Sequence, residues 1–474
     1  MATGDLFDPQ VNSPPLPKIK LLTMFRLGLF QMGLGIMSIL TLGVLNRVMI
    51  EELKVPALMT AGTLAMAQFV APARVWFGQR SDAKPLFGYH RTGYVWTGAV
   101  LFAIASFLAV QVIWQLGSEL QLSAWTTQTY GWVALLALIF ALYGLAIGVS
   151  STPFAALLVD ISDEDNRSKL VGVVWSMLMV GIIVGAIISS SLLKQITLDA
   201  PLEVLRASIN RLFLVVPAIV VGLSLLATVG VEKKYSQFAS RSKLVNREDS
   251  ISLNRALRVL TANRQTGIFF TFLLVMTISL FMQEPVLEPY GGEVFGMTIA
   301  QTTTLNAFWG TGTLIGLSAT GFLIAPRLGK QKTTQLGCIA VAVCFGVIIL
   351  AGLTANPKLL QGALVLFGLA SGVTTTGAIS LMLDLTAAET AGTFIGAWGL
   401  AQAMARALAT VTGGAVLDLG KTLFTTPELA YGLVFALQAL GMILAVWCLG
   451  RVDVAEFQTN AKKAIASVLE RELD

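Results

Sequence analysis

Histidine is almost missing from this chain of 474 residues, where His90 is the only one. That scarcity leaves almost no room for a His-ligated metal, His-based catalysis or a histidine proton relay. Cysteine is sparse as well. Cys338, Cys344 and Cys448 all fall inside apolar runs, so neither a disulfide framework nor a thiolate metal site is indicated. Charge is the third shortage: Asp, Glu, Lys and Arg make up 12% of the residues, against roughly 25% in soluble proteins. A soluble enzyme, an extracellular disulfide scaffold and a nucleic-acid module are excluded. Apolar residues fill the space, at 55% of the chain, with a mean hydropathy of +0.75. That is enough for about a dozen membrane spans of roughly 20 residues.

Apolar windows of spanning length fall at about 22–45, 57–78, 92–115, 130–159, 168–193 and 209–230, then at 265–288, 298–324, 333–354, 359–383, 391–418 and 428–450. Within a bilayer the backbone must satisfy its own polar groups, so runs this long predict helices. The expected fold class is an all-α membrane protein of twelve transmembrane helices. Residues 1–21 are acidic and proline-rich rather than basic then apolar, which predicts a flexible tail and not a signal peptide. A basic polar stretch, 231–264, divides the spans into a bundle over 22–230 and another over 265–450, and 451–474 forms a second tail. Within the linker, SLNRALRVL either forms a short interfacial helix or is plain linker made basic by topology. With both termini on one side, that side collects 22 of the 32 Lys and Arg residues. The positive-inside bias therefore predicts cytoplasmic termini, and the net charge of +5 reports topology rather than a nucleic-acid partner.

The two halves repeat each other. Residues 143–175 align without gaps to 367–399, placing Gly144, Gly148, Asp160 and Gly172 on Gly368, Gly372, Asp384 and Gly396. Each copy ends one span and begins the next, so two six-helix bundles lie in parallel orientation, the major-facilitator arrangement. A second motif, GQRSDAKPLFGYHRTGYVWTG at 78–98, places Gly78, Asp82, Gly88 and Arg91 in the loop after span 2. It resembles the cytoplasmic loop motif of the major facilitator superfamily. There a glycine permits a tight exit, a carboxylate can sit against a helix N-terminus, and a guanidinium can pin the turn. The matching stretch of the second half, 321–330, carries Ala325 in place of the aspartate, so one gate clasp is expected to be missing.

Several stretches resemble one branch of that superfamily, the bacteriochlorophyll-delivery family of PucC- and LhaA-like light-harvesting assembly factors. They are FRLGLFQMGLG (25–35), TLGVLNRVMIEELKVPA (41–57), GQRSD (78–82) with GYHRTGYVW (88–96), and MLDLTAAETAGTFIGAWGLAQAMARA (382–407). His90 and Gly93 stand near positions where the family pattern has Arg and Pro, a departure pointing to a cyanobacterial, chlorophyll a-using relative. The resemblance implies a protein of the thylakoid or another photosynthetic membrane. Such a protein hands chlorophyll or bacteriochlorophyll, with carotenoid as an accompanying pigment, to antenna or photosystem apoproteins. Chlorophyll synthase and membrane lipids are further implied partners.

A chlorin's magnesium is a hard cation that takes an axial oxygen or nitrogen. With the sole histidine in a loop, the candidate ligands inside the spans are Gln31, Asn46, Gln68, Gln283, Asn306 and Gln402, beside a backbone carbonyl or water. Each can equally be an interhelical hydrogen-bonding group. Arg26 and Arg74 lie about one turn from helix ends, where snorkelling to the interface is expected. Arg406 is about 15 residues into its span and needs a counter-charge. Glu284 and Glu288, spaced i,i+4 and expected on one helix face, offer it, and an Arg406–Glu284 pairing or a polar ligand contact is expected. Asp160 and Asp384 fit cap or gate roles, and Trp175 and Trp398 packing roles.

Two functions of different class fit. One is a non-enzymatic pigment-delivery and assembly factor. The other is a major-facilitator secondary transporter of a small amphipathic solute. Few carboxylates and no histidine in the spans weigh against proton coupling. No metal-ligand spacing or nucleophile motif supports an enzyme.

Overall fold

The computed structural model describes residues 19–122, 125–162, 164–197, 200–236, 264–385 and 391–452. Among these residues there is no strand, only an isolated bridge between Leu86 and Tyr89. Backbone amides that cannot reach water close their hydrogen bonds locally, and the chain is helical almost throughout. In order come α1 (Leu21–Glu52), α2 (Ala57–Phe69), α3 (Ala73–Ala83), α4 (Thr92–Leu122), α5 (Thr127–Ile161), α6 (Glu164–Leu193), α7 (Leu202–Thr228) and the short α8 (Val231–Tyr235). The second half holds α9 (Arg264–Phe281), α10 (Leu287–Phe295), α11 (Ile299–Ala319), α12 (Lys330–Leu353), α13 (Pro357–Leu385), α14 (Ala391–Leu423) and α15 (Pro427–Gly450).

Nine helices among the described residues are long and apolar enough to cross a membrane. The other three expected windows are not simple rods. Window 57–78 becomes α2 and α3, joined by a turn that ends at Pro72. Window 265–288 becomes α9 and α10, parted around Pro285, whose ring and missing N–H do not continue a helix. Window 298–324 is α11, rich in threonine, followed by a π-helical turn at Thr320–Ile324. The first window is longer than expected. Its helix runs past residue 45 through π-helical turns at Ile39–Leu45 and Val48–Glu52 and ends at Glu52.

Each half has its own apolar core, around Phe102, Phe140 and Phe213 in the first and Phe272, Phe345 and Phe435 in the second. The cores exchange residues at one end only: Ile50 and Ala57 sit in the second core, Ile299 and Ala300 in the first. The repeat glycines make matching contacts. A Cβ at Gly144 would collide with the backbone of Ala67 on α2, and one at Gly368 with the backbone of Trp309 and Thr313 on α11. In both halves a glycine thus lets the fourth span press against the second. The first residues of the expected linker form α8, whose Val231 and Tyr235 are buried against the first half. The SLNRALRVL segment and the remainder of both tails lie outside the described residues.

Candidate functional site

Three polar clusters interrupt the apolar bundle: one mid-bundle, and one at each end. In the middle, Arg406 of α14 donates from Nε to Glu284 Oε2 at 3.1 Å and from Nη2 to Oε1. Its guanidinium lies over the Phe281 ring, 4.5 Å from the centroid, a cation–π arrangement. The arginine side chain is 37% exposed and the carboxylate 10%, so the pair can be reached. Glu284 and Glu288 do not share a helix face, because the break at Pro285 separates them. Glu288 turns instead to Asn306 and Thr303 on α11. Arg74 lies deeper than expected, since α3 continues to Ala83, more than two turns beyond it.

At the end where the basic loops gather, Arg91 is buried and joins three groups. Its Nη2 meets Asp82 Oδ1 at 2.5 Å, its Nε donates to Asp160 Oδ2 at 2.8 Å, and its Nη1 donates to Ser81 Oγ at 2.6 Å. Glu232 of α8 is a carboxylate at a helix N-terminus, that of α4. It accepts the backbone N–H groups of His90 (2.7 Å), Arg91 (3.2 Å) and Thr92 (2.7 Å), where the helix dipole favours negative charge. Gly88 turns the chain with φ of 77°. Gly78 sits within α3 rather than at a tight exit, and Cβ there would meet only ordinary contact. Arg26 does not snorkel freely: it donates to the Leu226 carbonyl (2.6 Å) and the Val229 carbonyl (2.5 Å) at the end of α7. The side chains of Asp384 and Trp398 lie outside the described residues, and Trp175 is 54% exposed rather than packed.

At the opposite end the contacts cross between halves. Arg47, fully buried, pairs with Glu51 at 3.1 Å and donates to Thr302 Oγ1 (2.5 Å) and the Met297 carbonyl (2.7 Å). Asn46 donates to the Pro285 carbonyl at 2.6 Å. Asp418 accepts the N–H groups of Ala57 (2.9 Å) and Leu58 (2.8 Å), capping α2 from the other half. Ser190 and Thr304 meet at 3.0 Å.

A fold of two helical bundles is shared with solved membrane transporters. The nucleoside transporter NupG superposes with a TM-score of 0.66 at 13% identity, covering 91% of this chain and 99% of its own. The D-xylose-proton symporter gives 0.65 at 15%, covering 91% and 97%. Identities this low establish the major-facilitator fold and nothing finer. The family described as PUCC protein matches residues 44–457. The chain belongs to the PucC family. Among its relatives, "Protein PucC" of Rhodobacter capsulatus is 28% identical over 441 residues, covering 90% of this chain and 92% of that protein. The "Bacteriochlorophyll synthase 44.5 kDa chain" of the same species is 30% identical over 434 residues, covering 90% and 94%. An uncharacterised protein from its puhA-bchM intergenic region is 29% identical over 401 residues, covering 84% and 80%.

Within this PucC-family chain the candidate pigment ligands separate by how their amides are used. Asn306 is bonded to Glu288, and the Gln283 oxygen accepts from Gln438 at 3.1 Å. Asn46 keeps an unpartnered oxygen, but it is fully buried in the seam. Gln31 is buried on α1, and Gln402 is half-buried on α14. Gln68 differs: its Oε1 is buried with no partner while the residue is half-buried, a hard oxygen donor of the kind magnesium takes.

Sequence reasoning missed Arg47, which falls just outside the expected window 22–45. The i,i+4 spacing of Arg47 and Glu51 was the available signal, since a pair that neutralises itself can stay inside a helix. Asp418 and Glu232 were also missed. Neither carries a motif, because the amides that they cap lie hundreds of residues away for Asp418 and 140 or more for Glu232.

Proposed function

We propose that this multi-pass membrane protein is a delivery and assembly factor. It binds chlorophyll or bacteriochlorophyll and hands it to light-harvesting or photosystem apoproteins, without catalysing a covalent step. The observation that carries the reading is membership of the PucC family across residues 44–457. A relative named for bacteriochlorophyll synthesis, aligned over 94% of its own length, places the family in a pigment context. Both termini face the cytoplasm in this reading, and the thylakoid or an equivalent photosynthetic membrane is the site of action. Gln68 would hold the pigment's magnesium through its amide oxygen, and the macrocycle would supply the red absorption by which it is detected. Non-histidine ligation of this kind is weak, which suits a carrier that must release its cargo.

Purification from the native membrane in mild detergent tests this. A red absorption band travelling with the protein, together with antenna or photosystem subunits, is the expected result. The second reading, a secondary transporter of an amphipathic solute, draws on the transporter fold of the neighbours. A colourless, solitary protein that moves solute across vesicles would replace the first reading with the second.

A further inference from the structure

Where the two halves meet, buried carboxylates outnumber buried guanidiniums. α1 and α10 meet reciprocally, each offering a glycine to the other's glutamate. Glu288 of α10 lies in the notch at Gly43 of α1, where an added Cβ would collide with Glu288 Oε1. Glu51 of α1 lies in the notch at Gly292 of α10, where a Cβ would collide with both Glu51 oxygens. Arg47 stands between the two on α1, pairs with Glu51 and gives further donors to Thr302 and the Met297 carbonyl. Glu288 has no ion-pair partner among the described residues, although it is only 2% exposed. Its donors are neutral: Asn306 Nδ2 at 2.5 Å and Thr303 Oγ1 at 3.4 Å. The lysines nearby do not supply the missing charge, because Lys421 holds Glu293 at 2.7 Å and Lys54 is exposed. A carboxylate inside a membrane bundle calls for a counter-charge, and this seam is one positive charge short.

Oxygen acceptors are in surplus too. Asn46 is fully buried, three residues beyond Gly43, and its Nδ2 donates to the carbonyl of Pro285, three residues before Glu288. The Asn46 and Glu288 side chains are therefore pinned to the same stretch of the seam. Asn46 Oδ1 has no donor, and neither has Glu51 Oε1. A proton on Glu288 would reach one acceptor only, whereas a metal ion gathers several oxygens at once. We infer that Glu288 and Asn46 hold one small monovalent metal cation, of the sodium kind, between the two halves. The single missing charge sets the valence, and carboxylate and amide oxygens are the hard donors that such an ion takes. The inference goes beyond the pigment reading and does not depend on it. A cation there joins α1 to α10, so its loss loosens the halves at this end.

The test uses the full-length protein in neutral-lipid nanodiscs, with sodium chloride or choline chloride as the only salt. Radioactive sodium should bind in equimolar amount. Glu288→Gln should weaken that binding about tenfold or more, because ligand charge tunes cation affinity. Asn46→Leu should weaken it less, and Glu293→Gln, whose carboxylate belongs to Lys421, should leave it unchanged. Spin labels at Leu122 and Leu423, exposed at this end in opposite halves, should report a shorter and narrower distance in sodium than in choline. Glu288→Gln should lose that response. Wild-type binding decides the matter where a variant fails to fold: no sodium bound overturns the site. Shortening by acid in choline, with sodium inert, assigns the charge to a proton and overturns the metal site as well. Sodium binding that survives in a Glu288→Gln protein with the unfolding temperature of the wild type places the ion elsewhere, and it too overturns the inference.

Discussion

The two ends of the bundle spend their buried charge differently. At the basic end, Arg91, Asp82, Asp160, Ser81 and Glu232 all belong to the first half, and the cluster ties α3, α4, α5 and α8 into one body. At the opposite end, Arg47, Asn46, Asp418 and Ser190 reach across to partners in the other half. A polar cluster within a half makes it rigid, whereas one between halves holds the two bundles together at that end. The repeat explains part of the asymmetry: Ala325 stands where the second half would need its aspartate.

The largest expected effect comes from cutting each cluster at its arginine. Arg47→Leu leaves Glu51 buried without its guanidinium and strips donors from Thr302 and Met297, and Arg91→Leu removes the guanidinium that Asp82 and Asp160 share. Breaking a buried pair from one side costs about 3–5 kcal/mol, so both variants should unfold at lower temperature in detergent. Only Arg47→Leu should raise thiol labelling of cysteines introduced along the seam. Equal labelling in both variants would erase the distinction between the ends.

Smaller effects follow from the caps. Asp418→Ala removes the acceptor of two N–H groups on α2, and Glu232→Ala that of three at the entry to α4, each costing about 0.5–2 kcal/mol. Amide exchange should quicken in the first turn of α2 for the former and of α4 for the latter, with no crossover between halves in the Glu232 variant. A last contrast tests the close helix packing at the repeat. Gly368→Ala forces a Cβ into the α11 backbone and should cost about 1–3 kcal/mol in thermal unfolding. Gly172→Ala, which meets nothing within 4 Å, should cost nothing.

Much of the fold is legible from hydropathy and from one repeated glycine-and-aspartate pattern, because the bilayer permits few alternatives. The limits of that reading are physical. Hydropathy ends a span at the first cluster of charge, yet Arg47 and Glu51 neutralise one another and carry α1 onward to residue 52. Helical periodicity set Glu284 and Glu288 on one face, and Pro285 parts them, sending one to Arg406 and the other to Asn306. The need of Arg406 for a counter-charge can be read from its depth. Capping carboxylates distant in sequence leave no trace in spacing.

The π-helical turns of α1 have a bearing beyond its length. An i→i+5 turn holds about one residue more than an α-turn, so the chain beyond it is rotated by roughly 100° from the direction an uninterrupted helix would give. The aim of Asn46 and Arg47 across to the other bundle therefore depends on a counting offset built into residues 39–45. Unwinding that surplus residue would swing both side chains away from their acceptors without melting the helix. The two bundles would then be released by a change of pitch.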